Sequence, residues 1–122
     1  MSFVFVALGG ALGATARYSI SLIPVRLEFP ILTFFTNIIG AILIGFLVGI
    51  FSNQPEISEN TVLFWKTGVC GGFTTFSTFS LEAFNLLEEK KCVIGGIYVV
   101  LSCVFCILGI LCGKKLAGFI GK

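Results

Sequence analysis

Long apolar runs separated by brief polar breaks organise this chain. The first extends from about Phe3 to Ile23 and stops at Pro24, beyond which Arg26 and Glu28 form a short polar patch. A second begins near Pro30, a residue suited to a first helical turn, and no charged side chain occurs from Phe29 to Pro55. Ser52-Asn53-Gln54-Pro55-Glu56-Ile57-Ser58-Glu59-Asn60 then reads as a polar loop with turn formers. The third run is different. Its uncharged part, Thr67 to Leu81, is short and holds Gly68, Gly71, Gly72, Thr74, Thr75, Ser77, Thr78 and Ser80, which makes a poor surface to turn toward lipid. Glu88-Glu89-Lys90-Lys91 marks an exposed turn, and Cys92 to Gly113 is a last uncharged run before Lys114 and Lys115 anchor it at an interface. Crossing a bilayer takes a helix of about 20 apolar residues. The pattern therefore predicts an all-α membrane protein with four transmembrane helices, at about 3–23, 30–51, 62–86 and 92–113, in a single domain spanning 1–122.

Composition agrees: 57% of the 122 residues are hydrophobic and 11% charged, with mean hydropathy +1.07, more apolar surface than a small water-soluble domain can hide. The N-terminal run lacks the basic start of a secretory leader and is read as a span. A net charge of +2 without histidine offers no basic face for nucleic acid and no imidazole for acid–base or metal chemistry. No aspartate is present and no carboxylate pair is placed to share a cleft, so no enzyme activity is expected. The 5 cysteines do not suggest a disulfide framework, since Cys92, Cys103, Cys106 and Cys112 lie in the last apolar run, where thiols behave as small hydrophobes.

Small residues four apart, at Gly9 and Gly13, Gly45 and Gly49, Gly68 and Gly72, and Gly109 and Gly113, let membrane helices approach closely. Positive charge is evenly divided. Arg26, Lys90 and Lys91 fall on one side of the bilayer and Lys114, Lys115 and Lys122 on the other, with Arg17 adding to the first set and Lys66 to the second. That balance gives insertion no preferred direction. The chain is expected to insert both ways up, so that two opposite copies can pair as an antiparallel, dual-topology dimer.

Polar groups inside spans are functional candidates by default. Arg17 sits about 21 Å along the first helix, within snorkelling reach of the far interface, and can serve as an anchor or draw anions to a pore mouth. Asn37, with Thr33, Thr36 and Gly40 nearby, can coordinate a dehydrated anion or join helices. Between Gly68 and Ser80, adjacent glycines followed by adjacent threonines weaken the third helix near mid-membrane, and unwound backbone there must be buried in protein or line a watery cavity. Its carbonyls can bind a cation, and the hydroxyls of Thr75, Ser77 and Thr78 can donate to an anion. Phe76 and Phe79 share a helix face, where they pack as core or present their positive ring edges to an anion. Tyr98, Ser102 and Cys106 form one polar stripe on the last helix. Glu82, at the end of the third run, reads as an interfacial carboxylate facing water, with shaping of an entrance as the alternative.

The run Gly68-Val69-Cys70-Gly71-Gly72-Phe73-Thr74-Thr75-Phe76-Ser77-Thr78-Phe79-Ser80 resembles the signature of the Fluc (CrcB) fluoride channels. Gly9-Gly10, Gly13-Ala14, Arg17-Tyr18 and Thr36-Asn37-Ile38-Ile39-Gly40 join it in the family's order. The resemblance covers essentially the whole chain. It implies a fluoride-selective passive channel in the cell (plasma) membrane that exports cytoplasmic fluoride, built as an antiparallel dimer with two pores. It further implies that Asn37, Phe76 and Phe79 line the fluoride pore, followed by a polar track of Ser77, Thr78, Tyr98 and Ser102. Arg17 would stand at an aqueous vestibule, and backbone carbonyls of Gly71 and Thr74 would hold a structural sodium ion at the dimer centre. Cys106 departs from the hydroxyl residue with which the family's track often continues. The implied partners are fluoride, membrane lipid and a second identical chain, or a related subunit of fixed orientation. Two rival readings make different demands. A small dual-topology drug or cation transporter needs an embedded carboxylate, and the first acidic residue here is Glu28, outside helix one; a non-conducting structural membrane subunit needs neither a broken helix nor a phenylalanine pair.

Overall fold

Helices form along each apolar run, and the polar interruptions set where they stop. The computed structural model describes residues 1–120; Lys122, counted above in the charge balance, lies outside them. Helices α1 (Ser2–Ser21) and α2 (Ile31–Ser52) occupy the first two runs. Pro30 stands at the N-cap of α2, one place before the helix, where its missing N–H costs nothing. The third run is built in pieces: α3 (Glu59–Val62), a π-helical segment (Leu63–Cys70), α4 (Gly71–Phe73) and, beyond Thr74 and Thr75, α5 (Phe76–Glu88). Ser58 caps the start, its hydroxyl accepting from the Thr61 N–H at 3.4 Å. Helix α6 (Cys92–Ile120) runs past Lys114 and Lys115 instead of ending near Gly113. Lysine is a good helix former, so these residues limit the apolar stretch without stopping the helix.

The described residues contain helices and no strand. By length and composition α1, α2 and α6 can each cross a bilayer, and the bent helix from 59 to 88 supplies the fourth rod. The rods associate as two parallel pairs. Along α1 against 59–73, a Cβ built on Gly9 would collide with the Phe64 carbonyl, and one on Gly13 with the Val69 carbonyl and, at 2.8 Å, the Phe73 nitrogen. Along α2 against α6, Gly45 abuts Ile110 and Gly113 abuts Ile42, backbone to backbone. Glycine at these crossings brings the axes together and multiplies dispersion contacts that lipid cannot replace.

After the break, α5 folds back antiparallel to α6. Phe79, Ala83 and Leu86 bury against Tyr98, with Phe29, Phe34 and Ile94 packed around them. The α5–α6 turn places Lys90 at φ 63°, and Lys91 reaches Glu28 at 3.2 Å and Glu89 at 3.4 Å, tying the α1–α2 linker to this turn. Hydrogen bonds from Lys91 to those carboxylates hold its ammonium above the usual lysine range.

Candidate functional site

The break falls at the threonines. Gly71 and Gly72 remain helical, while Thr74 (φ −84°, ψ 156°) and Thr75 (φ −147°, ψ 117°) are extended, a conformation that β-branched side chains favour. Gly72 is small for a different reason: a Cβ there would lie 2.5 Å from the Gly10 carbonyl oxygen on α1.

Side chains from two other helices grip the opened backbone. In an uninterrupted helix the Thr75 N–H would return to the Gly71 carbonyl. Instead it donates to Asn37 Oδ1 at 2.9 Å, and Asn37 Nδ2 donates to the Thr75 carbonyl at 3.1 Å. One amide from α2 thus satisfies both backbone groups of Thr75 and keeps one N–H of its own for another partner. From α1, Arg17 Nε donates to the Gly72 carbonyl at 3.1 Å. The chain contributes the rest: Thr74 Oγ1 donates to the Cys70 carbonyl at 2.9 Å, and Thr75 Oγ1 accepts from the Thr78 N–H at 3.1 Å, capping α5. That hydroxyl, read from sequence as an anion donor, serves here as the cap; Ser77 Oγ lies 3.3 Å from it.

Two helix ends of opposite polarity meet at this point. The carbonyl end of α4 carries partial negative charge, and the amide end of α5 partial positive charge. Residues at both ends, Gly71, Thr74, Thr75 and Phe76, line a groove of about 580 Å³ between α2, the π-helical segment, α5 and α6. Asn37, Gly71, Thr74, Thr75, Phe76, Phe79, Ser102 and Cys106 are the sequence-selected residues that line it. Ser77, Thr78, Tyr98 and Arg17 are not on its wall. Arg17 reaches the break from the α1 side, and Tyr98 is fully buried behind Phe79, with ring centroids 5.0 Å apart.

The two phenylalanines have different surroundings. Their rings lie 5.6 Å apart, tilted at 47°. Phe79 is 8% exposed and belongs to the core, whereas Phe76 is 77% exposed and projects from the chain's surface. Ser102 is buried, and its hydroxyl finds no hydrogen-bond partner among the described residues. Glu82 does not simply face water: it is half-buried, and Tyr98 donates to its carboxylate at 3.2 Å. Cys103 and Cys106 both line the groove, as do Lys66, Thr67 and Cys70, which sequence reasoning did not select. Nothing in their local pattern sets them apart; the position of the third rod against α2 and α6 brings them to the wall.

The Gly71 carbonyl, deprived of its helical donor by Asn37, suits a hard cation, because carbonyl oxygens can replace such an ion's water shell. No group of three or more His, Cys, Asp or Glu side chains that could hold a metal occurs among the described residues.

A family model described as CrcB-like protein, Camphor Resistance (CrcB), matches residues 4–114. Among curated relatives, the fluoride-specific ion channel FluC of Ruminiclostridium cellulolyticum is 44% identical over 96% of this chain and 92% of its own length. The fluoride-specific ion channel FluC 1 of Nitrobacter hamburgensis is 40% identical, over 91% of this chain and 90% of that protein. A third relative, the fluoride-specific ion channel FluC of Thermococcus kodakarensis, is 38% identical over 92% of both chains.

Proposed function

The chain belongs to the CrcB family, and from that premise we propose that it is a fluoride-selective ion channel, conducting passively, and not an enzyme. One observation carries the reading at the level of chemistry. Between α2, which carries no charged residue, and the uncharged Cys92–Gly113 part of α6 lies a helix break whose amide end, with a spare Asn37 N–H beside it, opens on a groove that also reaches Lys66. Hydrogen-bond donors without a full countercharge can bind a small anion and still release it, the balance that conduction requires.

Fluoride sheds water on entering and regains hydrogen bonds in sequence. Asn37 and the positive ring edges of Phe76 and Phe79 receive it first. The hydroxyls of Ser77, Thr78 and Ser102 form the track beyond, joined by Tyr98 where its O–H turns from Glu82 to the anion, and Arg17 stands at the vestibule. The unpartnered Ser102 hydroxyl fits such a role, having a donor to offer and nothing in its own chain to take it. The groove and the outward-facing Phe76 fit coverage by a second, identical chain in the opposite orientation, which the even division of positive charge favours over a related subunit of fixed orientation. A sodium ion at the centre of that dimer, held by the carbonyls of Gly71 and Thr74, would complete the cation side of the break. In the plasma membrane such a channel lowers toxicity: fluoride enters acidified cells as neutral HF, ionises, and leaves down its gradient.

Anion efflux from liposomes containing the purified protein tests the reading. Fluoride is expected to leave rapidly while chloride is retained, and Phe79→Ala or Asn37→Ala should slow fluoride about tenfold or more. Equal loss of both anions, or no fluoride flux from folded protein, would overturn it.

A further inference from the structure

Resting on the channel reading, we infer that Arg17 is a positioning residue which holds the broken helix in register through its Nε–H bond to Gly72, and does not act by drawing anions with its charge. Gly9, Gly13 and Arg17 lie four residues apart on one stripe of α1. At Gly13 the α1 backbone meets the last turn of α4, since a Cβ there would come within 2.8 Å of the Phe73 nitrogen. One turn later the stripe reaches the position where α4 ends, and there Arg17 Nε donates to the Gly72 carbonyl at 3.1 Å.

That carbonyl is an orphan made by the break. In a continuous helix its donor would be the Phe76 N–H, which lies beyond the extended threonines. Arg17 supplies the missing hydrogen and places a cation at the negative end of the helix. It does so from outside the groove, whose wall includes Gly71 and Thr74 but not Arg17. Held at Gly72 by α1 and at Thr75 by Asn37, the intervening segment has little freedom to tilt its remaining carbonyls or the α5 amide end away from the groove. A guanidinium already committed to this bond is half-buried against protein.

Side-chain connectivity provides a clean test. Glutamine carries its amide nitrogen the same number of bonds from Cα as arginine carries Nε, so Arg17→Gln keeps a donor in place and discards the charge. Arg17→Lys keeps the charge but moves the nitrogen one bond outward, and Arg17→Met keeps neither. Fluoride efflux from liposomes should rank wild type, Gln, Lys, Met, with Gln within about threefold of wild type and Met about tenfold or more below it. A role in attracting anions reverses the middle of that order, since Lys would conduct nearly normally and Gln would fail like Met.

A second readout is independent of conduction. Protein labelled with carbonyl-13C glycine and 15N phenylalanine reports the Gly72–Phe73 peptide bond, assigned by its loss in Phe73→Leu. Its carbonyl resonance should shift in Met and stay near the wild-type position in Gln. An unshifted resonance in Met, or Lys outperforming Gln, would overturn the inference. Absence of flux from wild type would sink the channel reading alone, because the carbonyl signature still decides whether Arg17 holds the break.

Discussion

Asn37 illustrates what one polar side chain in a charge-free helix can do. Its presence near Thr33, Thr36 and Gly40 marked it as functional from sequence, with anion coordination and helix joining both open. The structure commits its carbonyl oxygen and one amide hydrogen to Thr75 and leaves one hydrogen over, so the joining role is realised and donation to an anion remains available. Asn37→Asp separates these contributions. The aspartate still accepts from the Thr75 N–H but cannot donate to the Thr75 carbonyl, leaving a part-buried acceptor unpaired beside a new negative charge. The expected cost is about 1–3 kcal/mol of stability for the lost bond, read as a lower unfolding temperature in detergent, together with near-complete loss of fluoride efflux. Normal conduction by the variant would show that the amide hydrogens are not needed. Arg17 was also visible in sequence, but its bond to Gly72 was not, since the partner lies 55 positions away and only tertiary packing brings them together.

At the scale of the helix, only half of the segment expected to weaken opens, the threonines and not the glycines. Adjacent glycines suggest the place where a helix weakens, yet Gly71 and Gly72 stay helical and the extended residues are Thr74 and Thr75. Local propensity identified the right segment, while the exact site was settled by Asn37 and Arg17, which offer partners to the released backbone groups. The π-helical segment was not legible at all, because Leu63–Cys70 has no sequence pattern specific to i→i+5 bonding. Helix-packing glycines were legible as a set but not individually. Gly10 and Gly13 are near neighbours on α1, yet a Cβ meets nothing within 4 Å at Gly10 and strikes backbone at Gly13. Gly10→Ala should therefore be neutral or raise stability by up to about 1 kcal/mol through helix propensity. Gly13→Ala should lower the unfolding temperature and slow fluoride efflux, because α1 must move away from the break and carry Arg17 with it. Equal behaviour of the two variants would mean that the close α1 approach is not what holds the third rod.

For the whole molecule, the number of rods and the membrane character followed from hydropathy, whereas their pairing did not. Parallel association of α1 with 59–73 and of α2 with α6 depends on which small-residue stripes meet, and the same spacing occurs in every rod. Charge distribution bears on a larger question, which way the bundle faces. With Arg17, Arg26, Lys90 and Lys91 opposed by Lys66, Lys114, Lys115 and Lys122, removal of Lys114 and Lys115 leaves a clear excess on one side. Lys114→Ala with Lys115→Ala should place the α5–α6 turn uniformly in the cytoplasm. Exposed Cys92, beside that turn, reports the outcome: an impermeant thiol reagent applied to intact cells should label part of the wild-type population and almost none of the variant, with Cys92→Ser as the blank. If the working unit is an antiparallel pair, the singly oriented variant cannot form it and fluoride efflux should be lost. Co-expression with Lys90→Ala, Lys91→Ala, biased the other way, should restore it, since each population supplies the orientation that the other lacks. Full efflux from the uniformly oriented variant alone would exclude the antiparallel assembly and point to a parallel pair or a single chain as the conducting unit.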